Sequence, residues 1–365
     1  MRNILNVGVI GAGAISDTYL TNLSTLFDGL KLVAICANHL ERAQAKAEKY
    51  GIRACTLEEM LADESIQMVI VLTPVGAHYG IIKQALEAGK HVYTEKTICE
   101  TTDQARELMA LADAKGLYLG AAPDTFMGTA FQTARKAIDD GLIGEVNSFS
   151  LSINRNNDIL TGVFPFLRLP GAGVLRDYQV YYLTALISLL GPAETVGAFV
   201  RAPYPKRVNP VPGTKGYGEE IDTPNESVIA AMLMLESGVT GTIHENHETM
   251  LYDRADFAIY GTKGVLLLGN PNNFGDPVRL LWDTRAEEPI PQILEPVGAY
   301  SDNVRGLGAA EMAVAIAEGR KNRASKDLAS HVLDILESME KSSREGKLIE
   351  VASTCERPAL FTEKV

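Results

Sequence analysis

Three polar residues of the 365-residue chain have the types and positions that proton transfer at a hydroxyl group requires: Lys96, Asp177 and Tyr181. Lys96 follows the apolar segment His91–Thr94, and a lysine at the carboxyl end of a strand can stabilise a developing alkoxide. Partial burial would lower its pKa toward the range useful for proton transfer. Asp177 and Tyr181 are four residues apart and share a face if their segment is helical. We predict that all three are catalytic; the alternatives are a solvated lysine, and a core tyrosine with a capping aspartate.

A glycine-rich turn near the N-terminus has the pattern of a phosphate-binding loop. The segment Gly8–Ser16 reads GVIGAGAIS, follows an apolar strand-like stretch and opens a helix pattern. Gly11 permits the tight turn, and Gly13 lets the backbone approach a pyrophosphate. The helix N-terminus at Ala14 and Ile15 presents free N–H groups to the phosphate. We predict that these four residues bind a dinucleotide; the alternative is a glycine-rich turn without a ligand.

The end of the second predicted strand bears on the choice between NAD and NADP. Strands that bind NAD usually end in an acid that accepts hydrogen bonds from the ribose 2′-hydroxyl. This strand ends in CANH at residues 36–39, and no acid precedes Glu41. Asn38 can donate to a hydroxyl or a phosphate, and Arg42 could supply a positive charge, although taken alone it would be a solvated helix residue. The sequence leans slightly toward NADP, with Asn38 and Arg42 as cofactor-binding residues.

Polar residues also follow two later apolar segments. Thr73 and Pro74 end the third predicted strand, with His78 just inside the next helix, and Glu95 precedes Lys96. Ligands of open parallel sheets bind outside the carboxyl ends of the strands. We therefore predict that these five residues line the cofactor site.

The order of the predicted elements indicates an α/β protein of two domains. Strand-like and helix-like segments alternate up to about residue 120, which is typical of βαβ units and a parallel Rossmann sheet. Beyond Pro123, strand-like stretches follow one another, which indicates an α+β domain with a large, mostly antiparallel open sheet. We predict a dinucleotide-binding domain at residues 1–123 and a substrate-binding domain at residues 124–365. The Pro/Gly-rich stretch Ala202–Pro224 is predicted to be a surface loop.

Composition excludes several classes of function. The chain has 34 basic and 46 acidic residues, a formal net charge of −12 and no basic cluster, which argues against a nucleic-acid partner. Its four cysteines form no CxxC pair, so no metal site is predicted. The alternating His244, Asn246 and Glu248 are expected to line a wetted sheet face rather than bind a metal. No run approaches the roughly 18 apolar residues of a spanning helix and no signal-peptide pattern is present, so we expect a cytoplasmic protein without a membrane partner.

Together the motifs resemble those of the Gfo/Idh/MocA oxidoreductases, which act on sugars and cyclitols with NAD or NADP. The resemblance covers nearly the whole chain. It rests on GAGAIS at 11–16, TPxxxH at 73–78, AGKHVYTEK at 88–96, IDDGLIGEV at 138–146 and GAGVLRDYQVYYLTALISLLG at 171–191. It implies an N-terminal Rossmann domain and a C-terminal domain whose open sheet frames the substrate pocket. It also implies that this sheet joins the subunits of a homodimer or homotetramer.

The resemblance assigns roles to the three polar residues. The lysine of the family's EKP motif falls on Lys96, the aspartate of its DxxxH motif on Asp177, and its catalytic histidine on Tyr181. Thr97 replaces the proline of EKP, so the fixed φ is lost and we expect Lys96 to be less rigidly presented. Members similar to glucose–fructose oxidoreductase and the dimeric dihydrodiol dehydrogenases also carry tyrosine in place of the histidine. With an unperturbed pKa near ~10, tyrosine favours proton donation and carbonyl reduction, unless Lys96 lowers that pKa.

Two further departures from the family pattern concern the substrate. Relatives often have a small or apolar residue at the position of Arg176 and glycine at the position of Gln179. Both Arg176 and Gln179 could contact a polar substrate. Arg176 could pair with an acidic substrate group, or equally form a structural salt bridge. The predicted substrate-binding residues are Lys96, Arg176, Asp177 and Tyr181.

The resulting expectation is an oxidoreductase that transfers a hydride between the nicotinamide of NAD or NADP and a secondary alcohol or ketone of a sugar, glycoside or cyclitol. One alternative is a redox-neutral enzyme that recycles a tightly bound cofactor during glycoside cleavage or elimination. Another is a non-catalytic nucleotide-binding sensor or scaffold, motivated by the departures at Asn38, Thr97 and Gln179.

Overall fold

The first sheet of the protein is parallel and has the Rossmann-type order β3-β2-β1-β4-β5-β6. The structure is a computed structural model that describes residues 4–169, 171–282 and 290–365. The strands are β1 (Leu5–Ile10), β2 (Leu30–Cys36), β3 (Arg53–Ala54), β4 (Met68–Val71), β5 (His91–Thr94) and β6 (Leu119–Ala121). The helices between them are α1 (Ser16–Thr25), α2 (Leu40–Tyr50), α3 (Leu57–Ala62), α4 (His78–Glu87) and α5 (Thr102–Ala114). Helices cover both faces, so the central strand β4 is buried along its whole length.

The second sheet has nine strands, and every neighbouring pair is antiparallel except β12 and β7. This agrees with the predicted, mostly antiparallel sheet. Its order is β16-β15-β14-β13-β7-β12-β11-β8-β17. The strands are β7 (Val146–Asn156), β8 (Ala193–Arg201), β11 (Val228–Leu235), β12 (Thr240–Asn246), β13 (Glu248–Gly261), β14 (Val265–Leu268), β15 (Arg279–Leu281), β16 (Gln292–Ile293) and β17 (Ile349–Glu350). Alternate residues of its long strands are buried, because one face packs on α6 (Thr129–Asp139) and α8 (Val180–Leu190).

The segment Ala202–Pro224 is not a plain loop as predicted. It contains a short hairpin of β9 (Lys206–Val208) and β10 (Glu220–Asp222). The sequence analysis also missed α7 (Asn157–Val163), whose first turn is capped by the Asn156 side chain accepting from Ile159 N–H at 3.2 Å. Short elements of this kind carry too few periodic positions to stand out in a sequence.

The last two helices, α9 (Leu307–Glu318) and α10 (Lys326–Glu345), return to the first sheet. Ala121 N–H in β6 donates to the carbonyl of Ala324 at 3.2 Å. The buried Asp124 carboxylate accepts from the N–H groups of Gly306 and Gly308, at 2.9 and 3.0 Å, at the start of α9. Leu333 of α10 lies in the apolar cluster on one face of the first sheet. The C-terminal helices thus pack against both halves of the chain.

No helix in the described part of the chain is both long and apolar enough to cross a membrane.

Candidate active site

The glycine-rich turn has the geometry of a phosphate-binding loop. Gly11 has a φ of 117°, and a Cβ there would lie 2.8 Å from the carbonyl oxygen of Leu72. A Cβ at Gly13 would meet no described atom within 4 Å, so the space beside its backbone is open to a ligand. The buried Ser16 hydroxyl donates to Gly13 O at 2.6 Å, which holds the turn against the start of α1. Both glycines fit their predicted roles.

Two clefts meet at this turn, at the carboxyl ends of the first sheet's strands. One, of about 500 Å³, is lined by Gly11 and Gly13 and by Asn38, His39 and Arg42 after β2. Its lining within the described residues contains no acid. The other, of about 420 Å³, extends past Ala14, Ile15, Thr73 and Pro74 toward Glu95 and Lys96. The open space at Gly13 joins the two clefts, and this arrangement fits an extended dinucleotide.

His78 does not take the predicted position at the cofactor cleft. It is fully buried, and its ring nitrogens lie 2.8 Å from the carbonyl oxygens of Thr73 and Thr97. Burial lowers its pKa. The ring therefore holds together the two loops that follow β4 and β5.

Thr97 is held in place by hydrogen bonds. The Lys96–Thr97 peptide bond is cis, the Thr97 hydroxyl donates to Cys99 O at 2.8 Å, and the Thr97 carbonyl contacts His78. These contacts fix the residue after Lys96, where the family has a proline. The expected looseness of Lys96 is therefore not seen.

Lys96 and Asp177 form a close ion pair that links the two halves of the chain. Lys96 Nζ donates to Asp177 Oδ1 at 2.6 Å and to the Asp177 carbonyl at 3.0 Å. Burial opposes the charged form of Lys96, but the negative charge of Asp177 and the neighbouring Tyr181 outweigh it, and the Lys96 pKa is raised. The predicted lowering of the Lys96 pKa is therefore wrong, because Asp177 supplies a carboxylate in direct contact. Lys96 acts as a fixed positive charge.

Tyr181 lies beside this pair. Lys96 Nζ is 5.7 Å from the centroid of the Tyr181 ring. Burial raises the pKa of the Tyr181 phenol, and the positive charges of Lys96 and Arg305 oppose that rise without cancelling it. The phenol is therefore a proton donor at neutral pH.

The segment that carries Asp177 is a turn of π-helix, Leu175–Gln179, which leads directly into α8. We expected a regular helix to place Asp177 and Tyr181 on one face. The structure has a wider, π-helical turn between them instead. Asp177 contacts Lys96 from this turn, and Tyr181 lies beside Lys96 from the first turn of α8.

Glu95 is held in place by its neighbours. Its Oε1 accepts from the hydroxyl of the buried Tyr19 at 2.7 Å, and its Oε2 accepts from Lys96 N–H at 3.1 Å. Glu95 lines the cleft as predicted, and these bonds also make it a positioning group for the Lys96 loop. The contact with Tyr19 joins residues far apart in sequence and has no local signal.

Arg176 forms the structural salt bridge that the sequence left open. Its Nη1 and Nη2 donate to the two carboxylate oxygens of Glu340 at 2.5 and 3.0 Å, and this pairing raises the Arg176 pKa. Arg176 lines the cofactor cleft with its guanidinium already paired. Gln179 is fully buried and does not line either the cofactor clefts or the substrate chamber described next, so its expected substrate contact is wrong.

A chamber of about 460 Å³ adjoins the catalytic residues; we call it the substrate chamber. Lys96, Asp177 and Tyr181 line one part of it. Other parts are lined by residues to which the sequence analysis assigned no individual role: Arg155, Phe164, Phe166, Tyr178, Asn272 and Arg305. These come from β7, from the segment around α7, from the π-helical turn and from the loops before α9. Only the tertiary fold brings them together, so their shared position has no local signal in the sequence.

His244, Asn246 and Glu248 do not form one continuous row. His244 is exposed on β12, whereas Glu248 starts β13 and pairs with Arg207 at 2.8 Å. Among the residues that the structure describes, no group of three or more His, Cys, Asp or Glu side chains could hold a metal ion.

Comparison with known proteins identifies both halves of the chain. The profile described as "Oxidoreductase family, NAD-binding Rossmann fold" matches residues 5–122, and the "GFO/IDH/MocA C-terminal domain" matches residues 131–267. Together they cover more than two-thirds of the sequence.

Individual relatives are named as dehydrogenases. The chain is 33% identical over 190 residues to D-glucoside 3-dehydrogenase of Escherichia coli (strain K12), covering 51% of this chain and 54% of that protein. It is 27% identical over 198 residues to scyllo-inositol 2-dehydrogenase (NADP(+)) of Bacillus subtilis (strain 168), covering 54% of this chain and 55% of that protein. The matches thus span about half the length of these curated relatives.

The fold is also shared with solved structures. Levoglucosan dehydrogenase, in complex with NADH and levoglucosan, matches with a TM-score of 0.81 and 19% identity, covering 96% of this chain and 100% of that one. At this identity the likeness concerns the fold alone. Because its two halves match the two family profiles in order, the chain belongs to the Gfo/Idh/MocA family of oxidoreductases.

Proposed function

We propose that the protein is an NAD(P)-dependent oxidoreductase acting on a secondary alcohol or ketone of a sugar, glycoside or cyclitol. The observation that carries this proposal is the meeting of Lys96, Asp177 and Tyr181 where the cofactor cleft adjoins the substrate chamber. Family membership and the names of the relatives support it.

Each residue has a distinct part in this proposal. When bound, the dinucleotide supplies a nicotinamide that accepts or donates the hydride. The charged Lys96 orients the substrate oxygen and stabilises negative charge that develops on it. Tyr181 exchanges the proton of that oxygen, and Asp177 fixes the Lys96 ammonium. Gly13 and the N-terminus of α1 hold the pyrophosphate.

The direct test is a fluorescence titration with NADH and NADPH, followed by a dehydrogenase screen of sugars, inositols and glycosides. We expect binding of at least one cofactor and a net change in its absorbance during turnover. Failure to bind either cofactor would overturn the proposal. Binding without any turnover would favour the scaffold, and turnover without net absorbance change would favour the redox-neutral enzyme.

We propose a preference for NADP over NAD. The cleft beyond Gly11 offers Asn38, His39 and Arg42, and its described lining has no carboxylate to repel a 2′-phosphate. An Arg42→Ala variant should weaken NADPH binding by about tenfold and leave NADH binding nearly unchanged, since the arginine would contact only the extra phosphate. Equal losses for the two cofactors would contradict this preference.

We also propose that the protein is a homo-oligomer joined through the outer face of its second sheet. Apolar side chains stand exposed there, including Phe199 on β8 at 71% and Met232 on β11 at 59% exposure. Such a face is costly to leave in water. Light scattering of the purified protein should give at least a dimer, and a monomer at micromolar concentration would exclude this assembly.

A further inference from the structure

Arg155 enters the substrate chamber from the sheet. It lies on β7 and, as strand alternation requires, shares a face with the buried Leu151 and Ile153. Its side chain is only 15% exposed, and its Cζ lies 4.0 Å from the centroid of the Tyr178 ring. The Tyr178 ring thus makes a cation–π contact with one face of the planar guanidinium. The family motifs of the sequence do not include this residue.

The guanidinium of Arg155 forms a long ion pair with a carboxylate, but its Nε makes no hydrogen bond. Its nearest carboxylate is Asp253, whose Oδ1 is 3.4 Å from Nε, and that oxygen already accepts from the Tyr178 hydroxyl at 3.2 Å. Within residues 4–169, 171–282 and 290–365, Nε of Arg155 is buried without a hydrogen-bond partner. A buried arginine normally satisfies its donors, so this one is available to an incoming acceptor.

The other charged groups of the chamber are already engaged. Lys96 and Asp177 bond to each other, and Glu95 accepts from Tyr19. Arg305 donates to the Asn272 side chain at 2.5 Å. Among the described residues of the chamber, Arg155 is therefore the cation whose buried Nε lacks a hydrogen-bond partner, and a planar guanidinium matches a carboxylate.

We propose that the substrate is a sugar acid, whose carboxylate pairs with Arg155 while its reacting hydroxyl lies at Lys96 and Tyr181. This inference rests on the proposed function and specifies its substrate class. Pairing the carboxylate at the far wall would orient the ring toward the nicotinamide side of the chamber. A neutral sugar would leave the buried guanidinium unpaired and would be disfavoured.

The kinetic test compares acids with neutral sugars of the same stereochemistry: glucuronate with glucose, galacturonate with galactose, and gluconate with sorbitol. For the best pair, kcat/KM should favour the acid by about thirtyfold or more. The Arg155→Met variant should lose that preference, so that its ratio of kcat/KM for acid over neutral sugar falls toward one, and Arg155→Lys should retain part of it. The exposed neighbour Arg254, altered to Met, is the matched control. Equal kcat/KM for acids and neutral sugars in the wild type would overturn the inference, as would preference for glucose 6-phosphate over glucuronate.

A binding test separates this inference from the proposed function. Isothermal titration of the NADP⁺-saturated protein should show gluconate binding at least about tenfold tighter than sorbitol, and Arg155→Met should abolish the difference. This readout decides the anion site even if no alcohol in the panel is oxidised. Should Arg155→Met fail to fold, the Arg155→Lys protein and the wild-type comparison remain decisive. Equal affinities for gluconate and sorbitol in the wild type would refute the site.

Discussion

Lys96 shows how a single contact changes the chemistry that a residue type suggests. Burial alone would lower the pKa of its ammonium, and that was the reasonable expectation from its position after β5. The carboxylate of Asp177 lies 2.6 Å away and reverses the direction of the shift. In the proposed mechanism, Lys96 therefore serves as an electrostatic group and Tyr181 transfers the proton.

Replacing Lys96 with methionine should lower kcat by about 10²–10³-fold, because the charge that stabilises the developing alkoxide is lost. Cofactor affinity, measured by fluorescence titration, should stay within about threefold of wild type, since the pyrophosphate is held at Gly13 and α1. Lys83→Met is a matched control: Lys83 is a half-exposed lysine of α4 paired with Glu107. Wild-type turnover in the Lys96 variant would disprove its catalytic role.

The raised pKa of Tyr181 predicts the pH dependence of turnover. A phenol whose pKa is raised above its ordinary value stays protonated through the neutral range, so it can donate but not accept a proton there. Ketone reduction should be constant from pH 6 to 9 (roughly), whereas alcohol oxidation should keep rising to at least about pH 10. Tyr181→Phe should lose about 10²–10⁴-fold in both directions. Oxidation that levels off near neutral pH would show that another group is the base.

At the scale of elements, the predictions that succeeded were those with a long or specific local pattern. The strands β1, β2 and β4 to β6, the helices α1, α2, α4 to α6 and α8, and the strands β7, β8 and β11 to β14 follow from apolar periodicity and turn residues. The hairpin of β9 and β10 and the π-helical turn at Leu175–Gln179 do not, because tertiary packing rather than local pattern selects them.

The same division holds for the site. Gly11, Gly13, Lys96, Asp177 and Tyr181 belong to local motifs, so the sequence alone was enough to predict them as site residues. Arg155, Arg305 and the hydrogen bond from Tyr19 to Glu95 depend on contacts between distant segments, and a single sequence does not reveal them. His78 was assigned to the cofactor because its motif adjoins the cleft, although its ring points into the protein.

The phosphate-binding turn offers a test in which two glycines should behave differently. Gly11→Ala should destabilise the fold by about 1–3 kcal/mol, since its φ is 117° and a Cβ would press on the Leu72 carbonyl. Gly13→Val should have the same Tm as the wild type. It should bind cofactor at least about tenfold more weakly, because the valine side chain would occupy the space of the ligand. Gly80→Ala, in open space on α4, is the control. Equal cofactor affinity in Gly13→Val and wild type would place the pyrophosphate elsewhere.

At the scale of the whole molecule, Asp124 is a junction between the two halves. It follows β6 of the first sheet and caps the start of α9 from the C-terminal region. Burial raises its pKa to about 6, although the N–H groups of Gly308 and Gly306 and the positive charge of Arg305 favour the ionised form. The carboxyl group of Asp124 is therefore protonated in mild acid.

Because the folded-state pKa of Asp124 lies above its unfolded value, protonation stabilises the fold. Its contribution is fully present below about pH 4 and is lost as the pH rises through about 6. Relative to Asp124→Asn, which keeps an acceptor oxygen for the two N–H groups, the wild type should gain about 2 kcal/mol of unfolding free energy between pH 7 and pH 4. Urea unfolding across this range measures the difference. Parallel stability curves for the two proteins would show that Asp124 does not titrate in the fold.

The return of α9 and α10 to the first sheet has a consequence for biosynthesis. The six parallel strands are synthesised well before the helices α9 and α10, which cover part of their sheet. During translation, apolar surface of the first sheet therefore remains uncovered until α9 and α10 have also been made. A nascent chain truncated before α9 would be expected to need chaperone protection, even though its glycine turn and all six strands were already in place.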